Sequence, residues 1–163
     1  MKLSARSRAV LSSLVPVVCP PEAMAENLAT EIVDHVALSL TAMPREINLA
    51  LAVGIGAYDR GAHLWPPARG RSARKLPPAL AARYFATWWN SPLAPSRELA
   101  KAIKGLLCLS CYEMPAIKEA IGYAPEPWIA KVKRRRLEVH KPAIERHAAA
   151  LSARDPLPPL GVA

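Results

Sequence analysis

The chain has 163 residues, 52% of them apolar and 21% charged, with a net charge of +9 at neutral pH. That length and balance exclude a disordered chain and allow one sizeable hydrophobic core. Alanine and leucine outnumber β-branched and aromatic residues, so an all-α, single-domain fold of about six or seven helices is expected.

The first helix is predicted over Ser4 to Val15, with Ser4 as N-cap and Pro16 as its end. Pro20 and Pro21 open a second helix, whose apolar residues Met24, Leu28, Ile32, Val36 and Leu40 recur every four positions and form one buried stripe. Pro44 precedes a third helix over Ile47 to Tyr58. Its alternating Leu49, Leu51, Val53 and Ile55, with alanines between, predict a helix buried nearly all round. Gly54 and Gly56 weaken such a helix and are expected to admit a neighbouring helix closely.

Leu64 to Pro78 has no apolar periodicity and carries Arg69, Arg71, Arg74 and Lys75 without an acid, which marks a basic loop. A fourth helix follows over Pro78 to Trp89, stopped by Asn90-Ser91-Pro92. A fifth runs from Ser96 to about Tyr112, with Leu99, Ile103, Leu106 and Leu107 on its core face. A helical turn from Pro115 ends at Gly122, which is expected in the left-handed region. The last helix starts near Pro127 and reaches about Leu151, with Pro142 kinking or dividing it. The helical domain is therefore expected over 1–151, and residues 152–163 form a proline-rich tail.

Candidate chemistry is sparse. Cys108 and Cys111 have CxxC spacing, but they sit at the C-terminal end of a helix, where the dipole does not stabilise a thiolate. A metal would need further ligands, and only Cys19 or a distant histidine is on offer. His35, His63, His140 and His147 do not group with a nucleophile or a carboxylate pair. Buried structural thiols, no catalytic residue, and no metal or cofactor held by this chain are the expectation. The odd number of cysteines fits a reducing, cytoplasmic setting. The prolines interrupting residues 9–21 argue against a cleaved signal, and no apolar run nears the ~20 residues of a membrane span.

The run Lys131, Lys133, Arg134, Arg135, Arg136 is the strongest charge feature. Consecutive cations wrap around a helix, so they do not all face one groove. A basic nucleic-acid-binding module is the alternative this run supports. The interleaved aromatics that base stacking needs are missing after Trp128.

The order Leu11, Leu14-Val15-Pro16, then Trp89-x-Ser91, the apolar Leu106 to Tyr112 segment and Ile121-Gly122-Tyr123 resembles a known family. It is similar to the small gamma-type subunits of gluconate 2-dehydrogenase and related flavin-dependent dehydrogenases. It is similar too to the helical N-terminal extension of some glucose–methanol–choline oxidoreductases, including long-chain alcohol oxidases. The resemblance implies a non-catalytic accessory subunit that stabilises a large FAD-carrying chain acting on an alcohol, with an electron-acceptor protein as a further partner. The twin-arginine export signal of several relatives is missing here, so a periplasmic location with an exported partner is the alternative to the cytoplasm.

Obligate interfaces are enriched in aromatics and arginine. On that basis Trp65, Trp89, Tyr123 and Trp128 are the expected anchors, with Arg69, Arg71, Arg74 and Arg135 at the rim. Trp88 and Trp89 point about 100° apart on a helix, so one enters the core while the other faces a partner.

Overall fold

Seven α-helices and no strands form among the described residues, 3–24 and 28–150 of a computed structural model. They are α1 (Ala5–Val18), α2 (Leu28–Thr41), α3 (Arg45–Gly61), α4 (Pro78–Trp89), α5 (Ala94–Glu113), α6 (Pro115–Ala120) and α7 (Glu126–Ala150). The all-α expectation is met. Contacts divide the chain into two units, Met1–Gly122 and Tyr123–Ala163. The proline-rich tail, and the side chain of Met24 in the second helix's stripe, lie outside the described residues.

Helix α1 is the central element of the first unit. Ser4 caps it, accepting a hydrogen bond from the Ser7 N–H at 3.0 Å. Val10, Leu11, Leu14 and Val15 are buried at the i, i+1, i+4, i+5 spacing of one helical face. The helix does not end at Pro16 but continues to Val18. A proline removes one N–H from the ladder, and the buried face of α1 offsets that loss. Its carboxyl end closes at Cys19, whose N–H donates to the Val15 carbonyl at 2.9 Å.

Helix α2 buries Leu28, Ile32, Val33, Val36 and Leu40, the expected stripe. The joint between α2 and α3 is built by Asn48. Its buried amide donates to the carbonyls of Leu40, Met43 and Pro44 at 2.9, 3.0 and 3.3 Å. One side chain thus ties the last turn of α2, the connecting residue Met43 and the cap of α3 together.

Helix α3 departs from expectation. It is not buried all round: Leu51, Ile55 and Tyr58 face the core, whereas Ile47, Leu49 and Val53 are exposed. Alternation at period two cannot place every apolar residue on one face of a helix, and no other element of the unit covers the remainder.

The basic loop is also more structured than its composition implies. Three short 3-10 turns at Ala62–Leu64, Pro66–Ala68 and Ala73–Lys75 fold it back, burying Ala68, Ser72, Ala73 and Leu76. Arg69 and Gly70 take positive φ of 50° and 72° at the reversal. The loop is pinned through Asp59, a fully buried carboxylate at the end of α3. Asp59 pairs with Arg6 of α1 at 2.7 Å and with Arg74 at 3.2 Å, and it accepts the Arg74 backbone N–H at 3.2 Å. Arg74 therefore serves the fold as well as standing at its expected place on the loop.

An aromatic cluster closes this end of the unit. Tyr58 lies 4.9 Å from Tyr84 and 5.3 Å from Trp88, and Trp65 lies 5.3 Å from Tyr84. The Tyr84 hydroxyl donates to the Tyr58 carbonyl at 2.9 Å. Gly61 makes this possible, since a Cβ there would stand 2.9 Å from that hydroxyl. Burial pushes the phenols of both Tyr58 and Tyr84 above their ordinary range. A group whose folded pKa is raised contributes stability that is full below its unfolded value and declines as pH rises above it. The fold should therefore lose stability from about pH 10 upwards. Urea midpoints measured across the alkaline range check this, and Tyr58→Phe should flatten the decline; an unchanged slope would contradict it.

Helix α4 spans the predicted residues, and α5 exceeds its predicted start and end by one or two positions. Gly122 takes φ 66° after α6, as expected. In the second unit, α7 runs unbroken through Pro142, which neither divides it nor ends it.

Candidate functional site

A groove of about 880 Å³ runs between α3 and α5 in the first unit. Ile47, Val53 and Gly54 of α3 form one side, and Leu99, Leu106 and Leu109 of α5 form the other. Met43 and Trp88 also line it, and Ser96 and Glu98 are its polar residues. Glu98 accepts from the Lys101 ammonium at 2.9 Å, a hydrogen bond that holds its carboxyl below the usual range.

Two glycines explain the groove's shape. At Gly54 a Cβ would lie 2.6 Å from Leu99 Cδ1, so the missing side chain lets α5 approach α3 there. The expectation for Gly54 thus holds, while Gly56 faces only the Arg60 side chain. Gly105, also in the lining, has nothing within 4 Å of where its Cβ would stand. A mid-helix glycine that serves no internal contact leaves an open patch of backbone in the groove wall.

The groove opens onto further apolar surface. Val53 is 65% exposed and Leu109 71%, with Ile47, Leu49 and Tyr112 also exposed. Such continuity is unusual for a surface that faces only water.

The predicted anchors are distributed differently. Trp65 is partly buried against the core through Tyr84, so it is not an exposed anchor. Trp88 packs into the aromatic cluster while Trp89 is 38% exposed, the division expected from their angular separation. The Trp89 ring lies beside Phe85 and beneath the Lys104 ammonium, 5.0 Å from the ring centre. Arg69 and Arg71 are exposed on the loop. Tyr123, Trp128 and Arg135 are exposed on the second unit.

The fold brings Cys19 beside the CxxC pair, which sequence spacing does not show. The Cys19 thiol contacts Leu107 O at 3.9 Å and the Cys108 thiol contacts Val18 O at 3.6 Å. Burial, then the neighbouring Cys111 and Cys108, push the Cys19 thiol far above its ordinary value. A thiol held protonated in this way is a poor nucleophile. Among the described residues no group of three His, Cys, Asp or Glu side chains is arranged to hold a metal ion. The His63 Nδ1 lies 2.6 Å from the Gly70 carbonyl and serves the loop.

No family model, curated protein or solved structure matches this chain. Among the described residues, no helix is long and apolar enough to cross a membrane.

Proposed function

We propose that this chain is a non-catalytic accessory subunit whose α3–α5 groove receives an apolar segment of a large catalytic partner. The observation that carries the reading is the groove itself, whose apolar walls leave Ile47, Val53 and Leu109 exposed. A small-molecule site encloses most of its ligand, whereas an open apolar trough suits a helix or loop of another protein. The motif order of Leu14-Val15-Pro16, Trp89-x-Ser91 and Ile121-Gly122-Tyr123 supports a more specific partner. That partner is an FAD-dependent dehydrogenase or oxidase acting on an alcohol, a sugar or steroid-like hydroxyl. The catalytic groups and the flavin belong to the large chain in this reading. The small chain acts by covering apolar surface and keeping its partner soluble and ordered.

The test is purification of the native chain from its own cells, with a visible spectrum of the product. A stoichiometric large chain with flavin absorbance is expected. A colourless chain that purifies alone would remove the reading. Co-purification with nucleic acid that nuclease or salt abolishes would replace it with the nucleic-acid module.

A further inference from the structure

Three thiols meet where the carboxyl end of α1 reaches α5, and none of them lines the α3–α5 groove. The Cys108 thiol reaches the Val18 carbonyl at 3.6 Å, and that of the next residue, Cys19, reaches the Leu107 carbonyl at 3.9 Å. These reciprocal contacts fix Cys19 over one turn of α5. In an α-helix the carbonyl of residue 107 points at the N–H of residue 111. The side chain of residue 111 leans back over that same turn, because Cα–Cβ bonds tilt toward the helix N-terminus. The Cys111 thiol is accordingly hydrogen-bonded to that of Cys19.

Of the pairings open to three thiols, this one suits a covalent bond. Cys108 and Cys111 stand three positions apart on one helix, a spacing that holds Cβ atoms about 5–6 Å apart. A disulfide brings them to about 3.5–4.5 Å. The Cys108 thiol is also engaged elsewhere, at Val18. All three cysteines are free thiols, Cys19 half-buried and Cys111 fully buried. An oxidant from solution therefore meets Cys19 first, with Cys111 directly behind it.

We propose that Cys19 and Cys111 are an oxidisable pair that closes into a disulfide stapling the end of α1 to α5, with Cys108 left as a thiol. The oxidant is a low-molecular-weight disulfide such as glutathione disulfide. The Cys19 sulfur, having given up its proton, attacks one sulfur of that molecule and expels one glutathione thiolate, which takes up the proton. Cys111 then loses its proton, attacks the Cys19 sulfur and expels the second glutathione. Two protein thiols thus lose two electrons and two protons, and one glutathione disulfide becomes two glutathione molecules. Burial holds Cys19 protonated, so the first step is slow, which fits a structural staple and not a turnover site. The proposal is independent of the accessory-subunit reading.

The test takes the full chain, reduced with dithiothreitol and then incubated with glutathione disulfide. It is denatured, alkylated with N-ethylmaleimide and measured by mass spectrometry. One thiol should accept maleimide after oxidation, against all three before it. Chymotryptic cleavage after Leu109 separates Cys108 from Cys111. The maleimide should lie on the Cys108 peptide, and the Cys19 and Cys111 peptides should be linked. Oxidation should raise the Tm by about 10 °C, because the link restricts the unfolded chain, and dithiothreitol should reverse the shift. Cys108→Ser should form the same bond with the same shift, whereas Cys19→Ser should show neither. Three alkylated thiols after oxidation, a glutathione adduct that is never displaced, a bond to Cys108, or a bond between two chains would each overturn the pair.

Discussion

Replacing Asp59 by alanine should lower the stability of the first unit by about 3–5 kcal/mol, the range for breaking a buried ion pair. The carboxylate is fully buried and holds three parts of the chain together. Arg6 reaches it from α1, Arg74 from the loop, and Asp59 itself lies in the last turn of α3. Its removal strands two guanidinium groups that are about one-third exposed, and releases the Arg74 backbone N–H. Arg6→Ala should cost less, about 1–2 kcal/mol, because Arg74 continues to neutralise Asp59 and Arg6 is partly solvated. Asp59→Asn keeps the shape without the charge, and should fall nearer to alanine than to the native chain. Urea denaturation followed by far-ultraviolet circular dichroism gives all three values. A loss below about 1 kcal/mol for Asp59→Ala would show that the network is no stronger than a surface pair.

The helices were legible because their signals are local. Ser4 before an apolar run, the four-residue spacing from Leu28 to Leu40, and Asn90-Ser91-Pro92 after Trp89 each act within a few residues. Most of what failed depended on distant packing. Pro16 reads as a helix breaker, yet α1 passes through it on the strength of its buried face; α7 passes through Pro142 without one. The loop carrying Arg74 lacks periodicity, and its order comes from Asp59, fifteen positions earlier in the chain. Cys19 joins Cys108 and Cys111 only because the end of α1 meets α5.

The groove was partly visible. Gly54 reads as a point of close helix approach, and the apolar alternation of α3 is plain along the chain. Their exposure is not legible there, because a pattern can show that residues are apolar without showing that the fold supplies too few neighbours to cover them. A helix that is apolar on several faces in a small domain is therefore ambiguous between a central position and an unfilled interface. Trp65 illustrates the converse. Its place in a basic loop suggested an exposed anchor, whereas the 3-10 turns fold that loop onto Tyr84.

The same ambiguity makes Gly105 the most informative position for function. A Cβ there would meet no atom within 4 Å, so a side chain can start into the groove without straining the core. Gly105→Ala should stabilise the isolated chain by about 0.5–1 kcal/mol, the helix-propensity difference between the two residues. Gly105→Trp should leave the fold intact but place an indole in the trough. If a partner segment occupies that space, its loss of contact should weaken binding by about 2–4 kcal/mol, roughly 30- to 1,000-fold. Whatever large chain co-purifies with the native protein is titrated with each variant, alongside thermal denaturation of the variants alone. Alanine separates backbone effects from steric filling, since a methyl group occupies little of the trough. Native affinity in Gly105→Trp, with its helical content unchanged, would place the partner elsewhere on the surface. Loss of affinity in the tryptophan variant alone would assign the α3–α5 groove to the partner, because the two variants differ only in how far the side chain reaches into it.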